Sequence, residues 1–333
     1  MARRRRLLAV KRQAQFMSWN KFARFVMPDA GDVDHEVKMN DDVLVWPHGR
    51  TVHETLEMDE YWLARVRDIR SSTENPSDVW VRAQWYYSPR DVADVIKSFD
   101  PEACGAHERI FSDHFDLIHS TTIDGIATVQ RYSDEDVEQG VIAKNAYWCR
   151  YNFEREARTL DPKPNETCFC HLPYDPDDDT VAMHFCPRLS CRKAYHQSCL
   201  VKGKFKEPLT RDRGLRLLLS PPDSDEPFVL PSSSSRLRKP RAQGIAKLLE
   251  GLPGELVRVA KQPMVKGAKY PQGGVVGNIT WVSRARKLVY DALCDLGIPE
   301  DWEEGIDPSK AIVKFKDRNV IPALICPQCG GPI

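Results

Sequence analysis

The chain has 333 residues, 41% of them hydrophobic, and 48 Lys and Arg are balanced by 48 Asp and Glu to a formal net charge of zero. Those values fit a folded intracellular protein of two domains. No stretch approaches the roughly 18 consecutive apolar residues that a membrane helix needs, which excludes a spanning helix and leaves no expected membrane partner.

Charge is unevenly placed at the start. Met1 to Val26 carries eight Lys or Arg and no Asp or Glu, beginning with Arg3, Arg4, Arg5 and Arg6. Such a run suits a nuclear import signal or contact with a nucleic-acid backbone, and it reads equally as a solvated tail over residues 1–30. No long apolar run comes after the arginines, so the segment does not resemble a signal peptide and a reducing compartment is expected.

From Lys38 to Leu160 the sequence reads as β-rich. Asp42–Trp46, Tyr61–Ile69, Val79–Tyr87 and Thr121–Tyr132 are rich in Val, Ile, Trp, Tyr and Thr, with turn-forming stretches such as Ser71–Ser77 between them. Period-two alternation puts Val79, Val81, Ala83, Trp85 and Tyr87 on one face of the third strand, and Trp80, Arg82, Gln84 and Tyr86 on the other. Pro89 has no amide proton and ends that ladder. Asp91–Phe99, with Val92, Val95 and Ile96 on one stripe, is a short helix candidate.

Cysteines dominate the C-terminal half. Cys168 and Cys170 form C-x-C, Cys186 and Cys191 form C-x4-C, His196 and Cys199 form H-x2-C, and Cys326 and Cys329 form C-x2-C. Four such pairs on tight turns make two closed tetrahedral sites with no position left for water, so two structural zinc ions are expected and not a catalytic metal. Residues 200–325 lie between the last two pairs. Within them 221–241 is Pro- and Ser-rich and expected to be disordered, with a basic end at Arg236–Arg241. Residues 243–300 read as helical. Pro253 opens one helix through Glu255, Leu256, Val259 and Ala260. Asn278–Leu296 carries Ile279, Val282, Ala285, Val289, Leu293 and Leu296 at helical steps, with Gly297 as a stop. Loop-closure entropy rises by only about 0.6 kcal/mol per doubling of length, so the insertion does not forbid the last pair from joining a site.

The ligand order, four cysteines, a histidine and three cysteines, resembles the PHD finger. That family's cross-brace implies one zinc on Cys168, Cys170, His196 and Cys199, and a second on Cys186, Cys191, Cys326 and Cys329, within a finger over 163–333. The long gap before the last pair departs from the family pattern. Upstream, WVRAQWYYSPRD (Trp80–Asp91), RIFSDHFDLI (Arg109–Ile118), TIDGIATV (Thr122–Val129) and YWCRYNF (Tyr147–Phe153) together resemble a bromo-adjacent homology (BAH) domain, over 31–162. The fold class implied is mixed: a β-rich domain with a twisted, barrel-like core and short helices, plus a zinc cross-brace finger with an α-helical insertion. BAH followed by PHD, with a long insertion and an ending near CPQCGG, is similar to the fungal BAH-PHD chromatin readers.

That resemblance implies function. A trimethylated lysine keeps its charge and loses its hydrogen-bond donors, so aromatic faces hold it best, each contributing about 0.5 to 2 kcal/mol. The family pattern maps such a cage onto Trp62, Trp85 and Tyr87, with Trp62 where Tyr is usual. His114 matches a position that lines the histone peptide. Asp91 and Asp116 would pair with basic or hydroxyl groups of the tail, or serve as solvated or capping carboxylates. Aromatics two apart on a strand also serve as core. The family implies a nuclear protein that binds trimethyl-lysine in the second ARKS repeat of histone H3, the Polycomb-type mark, on the nucleosome, and that recruits a silencing complex. The finger is a weaker reader: Ala194 stands where a cage Trp is usual, Tyr174 is one aromatic, and Asp175, Asp177, Asp178 and Asp179 form an acidic run. No catalysis is expected, since GxSxG, P-loop and HExxH motifs are absent. The alternatives are a RING-like ubiquitin ligase, whose histidine spacing differs, and a nucleic-acid module using Arg3–Arg6 and Arg236–Arg241.

Overall fold

A nine-stranded sheet grows from the β-branched and aromatic runs of the N-terminal half. The structure is a computed structural model that describes residues 11–27, 35–49, 56–143, 145–164, 167–172, 174, 181–207, 213–227, 247, 249–267, 275–313 and 323–333. Two units emerge, one of Met1–Glu102, Ala106–Arg131 and Asn145–Pro164, the other of Ala103–Gly105, Tyr132–Lys144 and Asn165–Ile333. Arg3–Arg6, Arg236–Arg241 and Asp175–Asp179 lie outside the described residues.

In the first unit the strands are β1 (Asn20–Phe22), β2 (Arg24–Met27), β3 (His35–Lys38), β4 (Asp42–Val45), β5 (Trp62–Ser71), β6 (Val79–Tyr87), β7 (Glu108–His119), β8 (Ile123–Ala127), β9 (Val129–Arg131), β10 (Tyr147–Glu154) and β11 (Thr159–Asp161). The sheet runs β11-β10-β7-β6-β5-β4-β8, with β1 on β5 and β9 on β10, while β2 and β3 form a separate pair. β8 ends the path on one side and β9 pairs near the other, and only Thr128 lies between them. The ends are thus joined by the chain and not by a ladder, so the expected barrel-like core is a coiled sheet and not a closed barrel. The expected strand Thr121–Tyr132 is broken for the same reason, because its two halves serve opposite ends.

Each side of the sheet carries a core. Val43, Val45, Ala64, Val66, Ile69, Val81, Ala83 and Ile123 pack with Val37 in one cluster, and Trp85 lies partly buried against it. Leu63, Tyr86, Tyr147 and Cys149 form another. Period-two alternation along β6 produces this division, sending Ala83 to one cluster and Tyr86 to the other. Where β10 runs parallel to β7, a fully buried ion pair holds them, Arg150 Nε to Glu108 Oε1 at 2.9 Å and Arg150 Nη2 to Glu108 Oε2 at 2.9 Å.

The expected N-terminal tail is corrected from residue 11 on. Residues 11–18 are helical, and β1 pairs with β5 through Lys21 and Arg70. Phe16 is 1% exposed, Arg70 lies over its ring, and Trp19 packs on Trp80. Two apolar anchors among the basic residues dock this segment.

In the second unit β12 (Met183–Phe185) is flanked by β13 (Ala194–His196) and β14 (Val265–Lys266). The insertion's ends are zipped together: Lys206 bridges Leu324, Glu207 N donates to Ala323 O, and Ile325 N donates to Phe205 O. This returns the chain beside the point where it left. The insertion holds helices Gly254–Ala260 and Ile279–Leu293, the second ending before Leu296, which is exposed. Two sequence expectations change. Residues 221–227 are ordered, with Pro222 O accepting from Arg192 Nη2 and Asp225 capping the Ser190 amide. The segment 132–144 belongs with the insertion, because Glu138 pairs with Arg284 and Lys287 and Gln139 O accepts from Thr280 Oγ1. The stripe of the Ile279–Leu293 helix packs on the Gly254–Ala260 helix within this unit. Among the described residues no helix is long and apolar enough to cross a membrane.

Candidate functional site

Strand register brings three expected aromatics to one corner. β5 and β6 are antiparallel with Ala64 opposite Trp85 and Leu63 opposite Tyr86. One step further along the same ladder faces Trp62 toward Tyr87, and parity puts Trp62, Trp85 and Tyr87 on the same side of the sheet. The Trp62 and Trp85 rings stand 5.9 Å apart at 88°, which makes two walls at a right angle. Trp62 is 47% exposed; Trp85 and Tyr87 are half-buried.

A bulge supplies the next group. Between Gln84 and Tyr86 the β6–β7 register shifts, so that Ser112–His114 lies against a single turn of the pleat. Ser112 fixes it: its hydroxyl donates to Trp85 O at 2.7 Å, while its carbonyl accepts from Gln84 Nε2 at 2.7 Å. Bulges re-aim side chains. Here the result is His114 Nδ1 at 2.9 Å from the Tyr87 hydroxyl, with Phe153 edge-on to the Tyr87 ring at 5.4 Å. Ser112 and Phe153 escaped sequence reasoning as individual residues, although both lie in the motifs that carry the resemblance.

The corner carries charge of both signs. Burial, then the charge of Arg155, lowers the His114 pKa below its usual 6.5, and Asp116 and Asp113 oppose the shift. Burial raises the Tyr87 phenol, the charge of Arg155 opposes the rise, and Asp91 and Asp113 add to it. A neutral imidazole and a neutral phenol therefore sit within the field of Arg155 and of three carboxylates. Two of these have structural work: Asp91 accepts from Ser88 N and Ser88 Oγ, completing the capping box of the Pro89–Val95 helix, and Asp113 accepts from Arg155 N. Asp116 is exposed, and its Oδ1 accepts from Leu117 N. Loss of a capping box costs about 1 kcal/mol. Asp91→Ala is expected to lower the melting temperature by a few degrees in a thermal scan.

The eight expected metal ligands also meet. Cys168, Cys170, His196 and Cys199 form one set and Cys186, Cys191, Cys326 and Cys329 the other, each with ligand atoms within 4.8 Å of one another. No disulfide joins any of the ten cysteines. The Cys186 and Cys329 sulfurs lie 3.5 Å apart, Cys191 and Cys326 3.4 Å, and Cys170 Sγ is 3.3 Å from His196 Nδ1. Hydrogen bonds to Cys191 and Cys326, then burial, push the Cys186 thiol up: four sulfurs this close cannot all ionise without a cation among them. The Tyr195 hydroxyl lies 3.8 Å from both Cys191 and Cys326 sulfurs and can donate to thiolates. Soft donors in closed fours fit a tetrahedral ion such as zinc and leave no open coordination position. Ala194, in place of a cage Trp, is buried on β13, and Tyr174 is buried as well.

No family model matches the chain. Two curated proteins of Arabidopsis thaliana do. Chromatin remodeling protein EBS is 30% identical over 140 residues, 42% of this chain and 55% of that protein. Chromatin remodeling protein SHL is 29% identical over 140 residues, 42% and 57%. The chain thus spans about half the length of the curated relatives it matches. The crystal structure of the yeast Rsc2 BAH domain superposes with a TM-score of 0.30 and 9% identity, over 43% of this chain and 54% of that one, a likeness that assigns no residue a role.

Proposed function

We propose that this protein is a nuclear chromatin reader whose first unit binds trimethyl-lysine of the histone H3 tail, in the second ARKS repeat, and that it acts in transcriptional silencing. The observation that carries the reading is the perpendicular Trp62–Trp85 pair on the same sheet face as Tyr87, open to solvent through Trp62. Aromatic faces attract a quaternary ammonium group, and nearby carboxylates strengthen that field. The chromatin remodeling relatives support the setting. Two structural zinc ions brace the second unit, and catalysis plays no part in the proposal. The mark and the Polycomb connection come from the family resemblance to fungal BAH-PHD readers. A modified-histone peptide array probed with the full chain tests it: the strongest signal is expected on trimethylated lysine of that repeat, and uniform signal across methylation states would end the reading.

His114 gives the reading a pH dependence. Its folded-state pKa is lowered below 6.5, so in the free folded protein the imidazole is neutral at neutral pH and gains its proton only as the pH falls below 6.5 through that lowered value. A protonated His114 also repels a bound cation. Affinity for the trimethylated peptide is therefore expected to weaken from pH 7.5 to pH 5.5 in fluorescence titrations, and His114→Asn is expected to flatten the profile.

A further inference from the structure

The third strand of the finger's sheet comes from the insertion and not from the cysteine scaffold. β14 lies antiparallel on β12, with Met183 opposite Lys266 and His184 opposite Val265, and the Phe185 amide donates to Met264 O at 2.9 Å. Lys266 is 2% exposed. Its ammonium lies 5.1 Å from the Tyr132 ring centre, 5.5 Å from Phe185 and 6.0 Å from Tyr174. It donates to Tyr132 Oη at 2.6 Å, to Asp134 Oδ1 at 3.0 Å and to Asp134 O at 3.2 Å.

A strand that only completed a sheet would not need this. Lysine is almost never fully buried, and a buried ion pair is commonly no better for stability than apolar side chains of the same volume. An added edge strand with one side chain held in a pocket is instead how proteins take up extended peptides, the ladder giving affinity and the pocket specificity. Rings and a carboxylate around an ammonium group make that pocket selective for lysine. The segment is also fitted to its bed: Gly267 has φ +118°, and a Cβ there would come within 2.3 Å of Val181 O, while at Gly277, φ +67°, it would come within 2.0 Å of Val265 O. Any other residue would push the strand off.

We propose that β14 is a ligand held in cis: the edge of β12 and the Tyr132, Tyr174, Phe185 and Asp134 pocket form a binding site for a lysine in an extended peptide, and the insertion keeps that site filled. The finger is thereby closed to lysine-bearing peptides in trans, which must compete with a tethered segment at millimolar effective concentration. This stands independently of what the first unit reads.

The test uses the full-length, zinc-loaded chain and a fluorescein-labelled peptide copying its residues 261–268. The peptide is expected to bind Lys266→Ala at least tenfold more tightly than the parent, and a copy with alanine in place of the lysine that matches Lys266 is expected to lose that gain. Equal binding to parent and variant, or a gain that does not require the peptide lysine matching Lys266, overturns the proposal. Should the variant fail to fold, amide exchange of the parent decides. The Phe185 amide, bonded to Met264 O at the entry to β14, is then expected to exchange at least tenfold faster than the neighbouring Cys186 amide, bonded to Lys193. Equal protection of the two would make β14 an integral strand and refute a ligand in cis.

Discussion

Cys186→Ser is expected to reduce bound zinc from two ions per chain to nearer one and to destabilise the second unit. Cys186 is fully buried, and its sulfur meets those of Cys191, Cys326 and Cys329, which come from two segments separated by the whole insertion. An ion held there would therefore tie together the ends of a very long loop. Structural zinc contributes on the order of 10 kcal/mol in isolated fingers, comparable to the whole stability of a domain. Serine is a poor zinc ligand at neutral pH and leaves a three-coordinate site. Cys294→Ser is the control, since Cys294 is exposed and belongs to neither set; it is expected to keep both ions. Metal analysis by mass spectrometry under native conditions reads the result directly, and two ions in Cys186→Ser would refute the ligand assignment.

Trp62→Ala is expected to weaken binding of the trimethylated peptide by about thirtyfold, equivalent to about 2 kcal/mol, the cost of losing one wall of an aromatic cage. Trp62 is 47% exposed at the start of β5, so its removal leaves the core nearly intact. Trp85 is a less clean probe. It packs against the valine-rich cluster, so Trp85→Ala is expected to lose binding and also about 1 to 3 kcal/mol of stability, less than a fully buried aromatic would cost. Calorimetric titration paired with a thermal melt separates the two effects. Unchanged affinity in folded Trp62→Ala would remove that ring from the site.

The difference between those tryptophans shows what the sequence could and could not convey. Period-two alternation in β6 was legible, and with it the common face of Val81, Ala83, Trp85 and Tyr87. The placement of Trp62 beside Trp85 depends on cross-strand register, a long-range property that local pattern does not carry. The bulge at Ser112–His114 was equally hidden, because two extra residues in a strand leave no compositional mark. The two Cys/His clusters were readable from spacing and order. Their closure across residues 200–325 rests on the pairing of Phe205–Glu207 with Ala323–Ile325, two short stretches with no signal of their own. Lys266 ran against expectation most strongly: a two-residue strand has no periodicity, and a lysine is the residue least expected inside. Basic composition likewise masked the anchors Phe16 and Trp19.

The aromatic corner of the first unit is the central claim, and one titration addresses it. Isothermal calorimetry of the full chain is run at pH 7.5 against two H3 peptides spanning the second ARKS repeat, identical but for trimethylation of the lysine. The account predicts at least a tenfold lower Kd for the methylated peptide, with the preference lost in Trp62→Ala. Equal Kd values for the two peptides, with both zinc ions bound and the chain folded, would contradict it.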